Sequence, residues 1–131
     1  MTIESVLKYK TIAVVGISDD PERPSHMVAS FLAGHGYNII PVNPNLTEWE
    51  GKKCYPDLLS IPVKVDVVDI FRRSEAIPPI VDEAIKIRPK AIWMQQGIIN
   101  EEAAAKARAA GIEVIMDKCM KVEYNNMKKV Q

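Results

Sequence analysis

Two short apolar runs near the start of the chain most constrain its fold. Residues 11–15 read Thr-Ile-Ala-Val-Val and stop at Gly16, and a second run, near residues 38–42, closes in Pro41-Val-Asn-Pro44. Short, largely β-branched runs are typical of parallel strands that are buried on both faces. The two runs and the residues between them therefore predict the opening β-turn-α-β unit of a nucleotide-binding sheet.

The loop after Gly16 lacks the signature of a dinucleotide-binding fold. That signature is G-x-G-x-x-G, and an Asp or Glu at the end of the second strand holds the ribose hydroxyls. Residues 16–25 contain one glycine, and the second strand ends in Asn43-Pro44. These departures count against NAD as the ligand. An NAD(P)-binding redox sensor or small oxidoreductase on the same fold is kept as an alternative interpretation.

The rest of the chain alternates helices with strands. Apolar residues at helical spacing predict helices that begin at Pro24 or Ser25, at Ser74 and at Asn100. The remaining predicted segments are strands at residues 65–71, 90–94 and 113–116, a short helix at 3–9 and a polar tail at 122–131. Such alternation implies right-handed crossovers and a parallel sheet. We expect an α/β fold over residues 1–131, a single three-layer Rossmann-like domain with a five-stranded, mainly parallel sheet.

Composition excludes several classes of protein. The 17 basic and 17 acidic residues give no net charge, which argues against a nucleic-acid or membrane-surface protein. No apolar run approaches the roughly 20 residues that span a bilayer, and residues 1–10 lack the apolar core of a signal peptide. Cys54 and Cys119 form no C-x-x-C pair, so a zinc site is not expected. We expect a soluble, cytoplasmic protein without a metal.

Ligands of open parallel sheets bind beyond the carboxyl ends of the strands. The first such loop offers Ser18, Arg23 and Ser25 and leads into a helix N-terminus, which favours a phosphate. Alternatively, Ser25 only caps the helix and Arg23 is solvated. In the third loop, Arg72 either reaches a phosphate or forms a surface salt bridge.

Three further loops end strands at the same edge. Val42, Asn43 and Pro44 form either an apolar wall with amide donors for a flat base or a simple turn. The amides and open backbone of residues 95–97 suit a ligand that itself carries amide groups. Cys119 adds a thiol there, although cysteine is commonly a small buried hydrophobic residue.

These blocks together resemble the small stand-alone CoA-binding proteins, which are similar to the CoA-binding domains of succinyl-CoA synthetase and NDP-forming acyl-CoA synthetases. The resemblance spans residues 3–123. It rests on these blocks: Gly16-x-Ser18, Arg23-Pro-Ser25, Gly36-Tyr37, Pro41-Val-Asn-Pro44, Gly51, Tyr55, Phe71-Arg72, Trp93-Met-Gln-Gln-Gly97, Gly111 and Met116-Asp-Lys-Cys-Met120.

The resemblance implies a coenzyme A ligand that lies across the strand ends. Its implied contacts are Gly16, Ile17, Ser18, Arg23 and Ser25 for the phosphates, Val42, Asn43 and Pro44 for the adenosine, Phe71 and Arg72 for the centre, and Gln95, Gln96 and Gly97 for the pantetheine arm.

The chain also departs from the synthetase pattern. Those enzymes use a phosphorylated histidine on a separate domain and an ATP-grasp partner, whereas the only histidines here are His26 and His35. We therefore expect a module that binds CoA or an acyl-CoA without catalysis of its own. A third interpretation is thiol and disulfide chemistry of CoA through Cys119.

Overall fold

The structure, a computed structural model, describes residues 2–129. Its centre is a five-stranded, entirely parallel sheet in the order β2-β1-β5-β6-β7. The elements in chain order are α1 Ile3–Val6, β1 Thr11–Val15, α2 Pro24–Ala33, β2 Asn38–Val42, β3 Glu48–Trp49, β4 Lys52–Lys53, β5 Val67–Ile70, α3 Ile77–Ile87, β6 Ala91–Met94, α4 Glu101–Ala109, β7 Glu113–Ile115 and α5 Met120–Lys129. The predicted α/β Rossmann-like fold is confirmed.

Helices cover both faces of the sheet and bury its apolar strands. Helices α3 and α4 pack on one face through residues such as Val81 and Ala104. Helices α1, α2 and α5 pack on the other face through residues such as Leu32 and Met120. Because both faces are covered, strand residues such as Ile12 are fully buried, as the near-continuous apolar runs predict.

The chain changes direction across the sheet between β1 and β5. From β1 it crosses through α2 to the neighbouring β2, whereas from β5 it crosses on the opposite face, through α3, to β6. At this point Gly16 has a φ of +84°, and a Cβ there would lie 2.5 Å from the carbonyl oxygen of Phe71. Only glycine allows the two diverging loops to approach so closely. This is the topological switch point at which open α/β sheets bind ligands.

Most of the predicted polar tail is helical and contributes to the core. Residues 120–129 form the helix α5, which buries Met120 and Met127 against the face covered by α1 and α2. Most residues of this helix are polar, so its apolar side is narrow and gives little hydrophobic periodicity. The last two residues of the predicted tail lie outside the described residues.

Other boundaries also differ from the predictions. Ser74 begins a 3-10 turn rather than capping α3, and its Oγ accepts a hydrogen bond from the N–H of Ile99 at 3.1 Å. Asn100 does cap α4, because its Oδ1 accepts from Ala103 N–H at 2.9 Å. The antiparallel β3–β4 hairpin was not predicted, since two-residue strands show no periodicity. The first two predicted strands match β1 and β2, and the other three extend one or two residues beyond the observed strands.

Candidate functional site

A cavity of about 490 Å³ lies beyond the ends of β5 and β6, beside the N-terminus of α2. We call it the strand-end cavity. Six predicted site residues line it, namely Ser25, Phe71, Arg72, Gln95, Gln96 and Cys119. Four lining residues were not predicted as ligand contacts, namely Pro24, Val28, Arg73 and Ile98. The cavity thus brings together residues from four separate parts of the chain.

A smaller cavity of about 140 Å³ adjoins the ends of β1 and β2. Predicted residues Val42 and Pro44 line it, and Arg72 borders both this cavity and the strand-end cavity. Among residues 2–129, Arg72 has neither an ion pair nor a side-chain hydrogen bond, so the salt-bridge interpretation finds no partner there. Arg72 is therefore a cation without an ion pair between two adjoining cavities, although the carboxylates of Asp57 and Glu83 also line the smaller one.

The loop of residues 16–25 is held in shape by its own hydroxyl groups. Ser18 N–H donates to Ser25 Oγ at 3.0 Å, and Asp20 N–H donates to Ser18 Oγ at 3.0 Å. Arg23 is the N-cap residue of α2, its side chain makes no capping bond, and the first turn contains no acidic residue. Ser25 is thus a loop-ordering residue rather than the helix cap. The positive end of α2 is left without an anionic group of its own.

Asn43 connects the first two strand-end loops. Its Nδ2 donates to the carbonyl oxygen of Ile17 at 2.7 Å, and its Oδ1 accepts from Asn45 N–H at 2.8 Å. Ile17 is fully buried, so its implied contact with the ligand would require the loop to move. The position that carries a ribose-binding acid in dinucleotide folds is here an amide bonded to the backbone.

The other predicted site residues lie beside the cavities without lining them. Gly97 N–H donates to Asp117 Oδ1 at 2.7 Å, which fixes the loop after β6. The residues outside both linings are Gly16, Ile17, Ser18, Arg23, Asn43 and Gly97. For these residues, as for those that line the cavities, contact with a ligand stays a prediction.

Sequence reasoning missed a buried carboxyl group beneath the strand-end cavity. Asp69 lies on β5, is fully buried, and its Oδ1 accepts from Gln95 Nε2 at 2.7 Å. Burial raises the pKa of Asp69 from its usual 3.8 to about 7, and the hydrogen bond from Gln95 opposes this shift. The signal in the sequence was an acid within a run that otherwise predicts a strand buried on both faces.

Neither histidine lines this cavity. His26 Nε2 lies 2.8 Å from Glu50 Oε1, and His35 Nδ1 lies 2.7 Å from the carbonyl oxygen of Phe31. Within residues 2–129, no three His, Cys, Asp or Glu side chains are arranged to hold a metal ion. In the same range, no helix has the length and apolar character to cross a membrane.

Comparison with known families identifies the family of this chain. Residues 10–125 match the sequence profile of the CoA binding domain family. The chain belongs to this CoA-binding-domain family. The expected resemblance to stand-alone CoA-binding proteins and to acyl-CoA synthetase domains is therefore confirmed.

Relatives of this CoA-binding domain include small proteins of similar length. It is 44% identical over 121 residues to the uncharacterized protein YneT of Bacillus subtilis, covering 92% of this chain and 90% of that protein. The solved structure of a hypothetical protein from Pyrococcus horikoshii superposes with a TM-score of 0.91 at 41% identity, covering 96% of this chain and 92% of that one.

Longer enzymes contain a related segment. The ADP-forming acetate–CoA ligase II of Archaeoglobus fulgidus is 34% identical over 76 residues, which cover 56% of this chain. The match spans only 11% of that ligase. The kinship thus concerns one segment of the ligase.

Proposed function

We propose that this chain binds coenzyme A, or an acyl-CoA, across the carboxyl edge of its sheet. The observation that carries the proposal is Arg72, which borders two adjoining cavities and forms no ion pair among residues 2–129. The side chain passes next to Gly16, since its Nε would lie 3.1 Å from a Cβ at that residue. A phosphate bound there would give Arg72 a charge-assisted partner beside the loop of residues 16–25.

The N-terminus of α2 supports an anion at the same place. Helix α4 begins at this edge too, but Asn100 caps it and Glu101 and Glu102 complement its dipole. Helix α2 has neither a side-chain cap nor an acidic residue in its first turn. A phosphate of CoA would supply the missing negative charge at α2.

The two cavities suit the remaining parts of CoA. The strand-end cavity combines the apolar side chains of Phe71, Val28 and Ile98 with the amides of Gln95 and Gln96. That combination fits the pantetheine arm, which is a flexible chain with amide groups. The smaller cavity offers the apolar side chains of Val42 and Pro44 to the adenosine.

We further propose that the chain acts by binding rather than by catalysis. The segment it shares with the Archaeoglobus fulgidus ligase is 11% of that enzyme, which leaves most of the ligase without a counterpart in the match. Cys54 and Cys119 are both free thiols, which fits a reducing compartment such as the cytoplasm.

Thermal melting with CoA, dephospho-CoA, NADH and ATP tests the proposed ligand. A ligand at about 100 times its dissociation constant adds roughly 2.7 kcal/mol to stability, which raises the melting temperature by several degrees. We expect CoA to produce such a shift and NADH and ATP not to reproduce it. A shift with NADH alone would favour the NAD(P) alternative, and a folded protein with no CoA shift would refute the proposal.

A second candidate function is thiol exchange with CoA disulfide. Cys119 is half-buried and lines the strand-end cavity, whereas burial raises the pKa of the Cys54 thiol. In this reaction the Cys119 thiolate attacks one sulfur of CoA disulfide, forms a protein–CoA mixed disulfide and releases one CoA thiolate. Intact mass after incubation with CoA disulfide should show one adduct. Cys119→Ser should lose the adduct and Cys54→Ser should keep it, and the opposite pattern would reject this function.

A further inference from the structure

We propose that Asp69 is a positioning residue, which turns the side-chain carbonyl of Gln95 toward the strand-end cavity so that it accepts a hydrogen bond from an amide N–H of the ligand. This inference rests on the proposed function, because the amide N–H groups are those of the pantetheine arm of CoA.

The hydrogen bond between the two side chains sets the orientation of Gln95. Gln95 Nε2 lies 2.7 Å from Asp69 Oδ1, and both side chains are buried. Above pH 7, where Asp69 is ionised, its carboxylate only accepts hydrogen bonds, so it binds the NH₂ end of the glutamine amide and not the carbonyl end. Fixing the NH₂ end on Asp69 leaves Oε1 on the far side of the amide.

The Oε1 atom of Gln95 is open to the cavity. It makes no hydrogen bond within residues 2–129. In that same range, Asp69 Oδ2 is the fully buried side-chain polar atom without a hydrogen-bond partner. Gln95 Oε1 also lacks a partner, but it is not fully buried. Because Gln95 lines the strand-end cavity, its unpaired Oε1 is an acceptor that a ligand can reach.

Asp69 is poorly explained as a purely structural residue. It is fully buried on a central strand, and its neighbours Val68 and Ile70 are fully buried apolar residues. Within the described chain it has no ion pair and one side-chain partner, so most of the cost of burying a carboxyl is not offset. Residues that break the local rules of packing in this way are expected at functional sites.

A double-mutant cycle tests whether Asp69 acts through Gln95. Calorimetry at pH 8, where Asp69 is ionised, gives the affinities of wild type, Asp69→Asn, Gln95→Leu and the double variant for CoA and for adenosine 3′,5′-bisphosphate, which lacks the amide chain. We expect Gln95→Leu to lose about tenfold in CoA affinity, the size of one neutral hydrogen bond. Asp69→Asn should lose several-fold, because asparagine both donates and accepts and no longer selects one orientation of the amide.

The double variant carries the decisive result. We expect it to bind CoA no more weakly than Gln95→Leu alone, and we expect all four proteins to bind the bisphosphate equally. Gln96→Leu is the matched control, since Gln96 is exposed and has no bond to Asp69. Its effect on CoA affinity should add to that of Asp69→Asn.

Three outcomes would overturn the inference. Asp69→Asn could weaken CoA binding equally with and without Gln95, could weaken bisphosphate binding by the same factor, or could leave CoA affinity at the wild-type value. If wild type itself does not bind CoA, the proposed function fails and this inference fails with it. Thermal melting of each variant verifies that it is folded.

Discussion

The two edges of the sheet carry cavities of opposite character. The cavity at the amino edge is larger, about 750 Å³, and lies between the end of α3 and the loop before β7. Three cations line it, namely Lys86, Arg88 and Lys90. The strand-end cavity at the carboxyl edge is smaller, about 490 Å³, and adjoins the uncapped start of α2. Volume alone would therefore select the amino edge.

Local charge balance separates the two edges. Helices α3 and α4 end at the amino edge, so the negative ends of their dipoles lie beside Lys86, Arg88 and Lys90. At the carboxyl edge, Arg72 and the N-terminus of α2 are both positive; Arg72 forms no ion pair among residues 2–129, and the first turn of α2 has no acidic residue. Under the proposed function, positive charge left unbalanced by the fold marks the ligand site better than cavity volume does.

The largest expected effect is on the free energy of unfolding, which the burial of Asp69 lowers. Because the pKa of Asp69 is raised from 3.8 to about 7, the folded state binds this proton more tightly than the unfolded state. Stability is thus highest below the unfolded pKa and falls as pH rises to about 7. Asp69→Asn has no such penalty, so at pH 8 it should be more stable than wild type by up to about 4 kcal/mol.

Urea unfolding without ligand at pH 4, 6 and 8 measures this difference. The two proteins should have similar free energies of unfolding near pH 4 and should diverge as the pH rises. A difference that is the same at all three pH values would show that Asp69 is not the group whose ionisation destabilises the fold.

The second test concerns the close approach of the loops at the switch point. In Gly16→Ala, the new methyl group would meet the carbonyl oxygen of Phe71 and the positive φ would be strained. We expect a loss of about 3 kcal/mol in the free energy of unfolding together with a loss of CoA binding. Gly36→Ala is the control, since its φ is also positive, +89°, but nothing lies within 4 Å.

For Gly36→Ala we expect a loss of about 1 kcal/mol and an unchanged affinity for CoA. Chemical unfolding and calorimetry on both variants measure the two effects. Equal losses of stability in the two alanine variants would mean that the contact with Phe71 carries no weight.

The third test compares one cation from each edge. Arg72→Ala should weaken CoA binding by about 1.5–3 kcal/mol if a charge-assisted bond to phosphate is lost. Lys86→Ala, at the amino edge, should leave CoA affinity unchanged. If Lys86→Ala had the larger effect, the ligand would belong to the amino edge and the comparison would be reversed.

The strands of this fold are predictable from sequence because local patterns define them. The β-branched run before Gly16 and the run before Asn43-Pro44 are each ended by residues that favour turns, and both strands match residue by residue. Helix α5 escapes the same reasoning, because Met120 and Met127 are its buried residues and most of the others are polar. Its helical state depends on a surface formed by α1 and α2, which are distant in sequence.

The position of the strand-end cavity was predictable from the sequence, whereas the contacts around it were not. The carboxyl ends of the strands indicated residues 71–73 and 95–97, because parallel strands end at one edge. The partner of Asp69 lies 26 positions further along the chain, so no local pattern links it to Gln95. For the same reason the link between Asn43 and Ile17, also 26 positions apart, could not be read from spacing.

The smallest expected effect is at Arg23, where one substitution should raise stability and weaken CoA binding. Arg23→Asp puts a carboxylate at the N-cap of α2, where it can accept from the first turn and complement the dipole. We expect a gain of about 1 kcal/mol in the free energy of unfolding together with weaker CoA binding, because the carboxylate takes the place of the ligand's phosphate.

Arg23→Ala separates the loss of the arginine from the gain of the acid, since it should not stabilise the fold. Chemical unfolding and calorimetry measure both quantities. If Arg23→Asp stabilised the protein and bound CoA as tightly as Arg23→Ala, the start of α2 would not be where the phosphate binds.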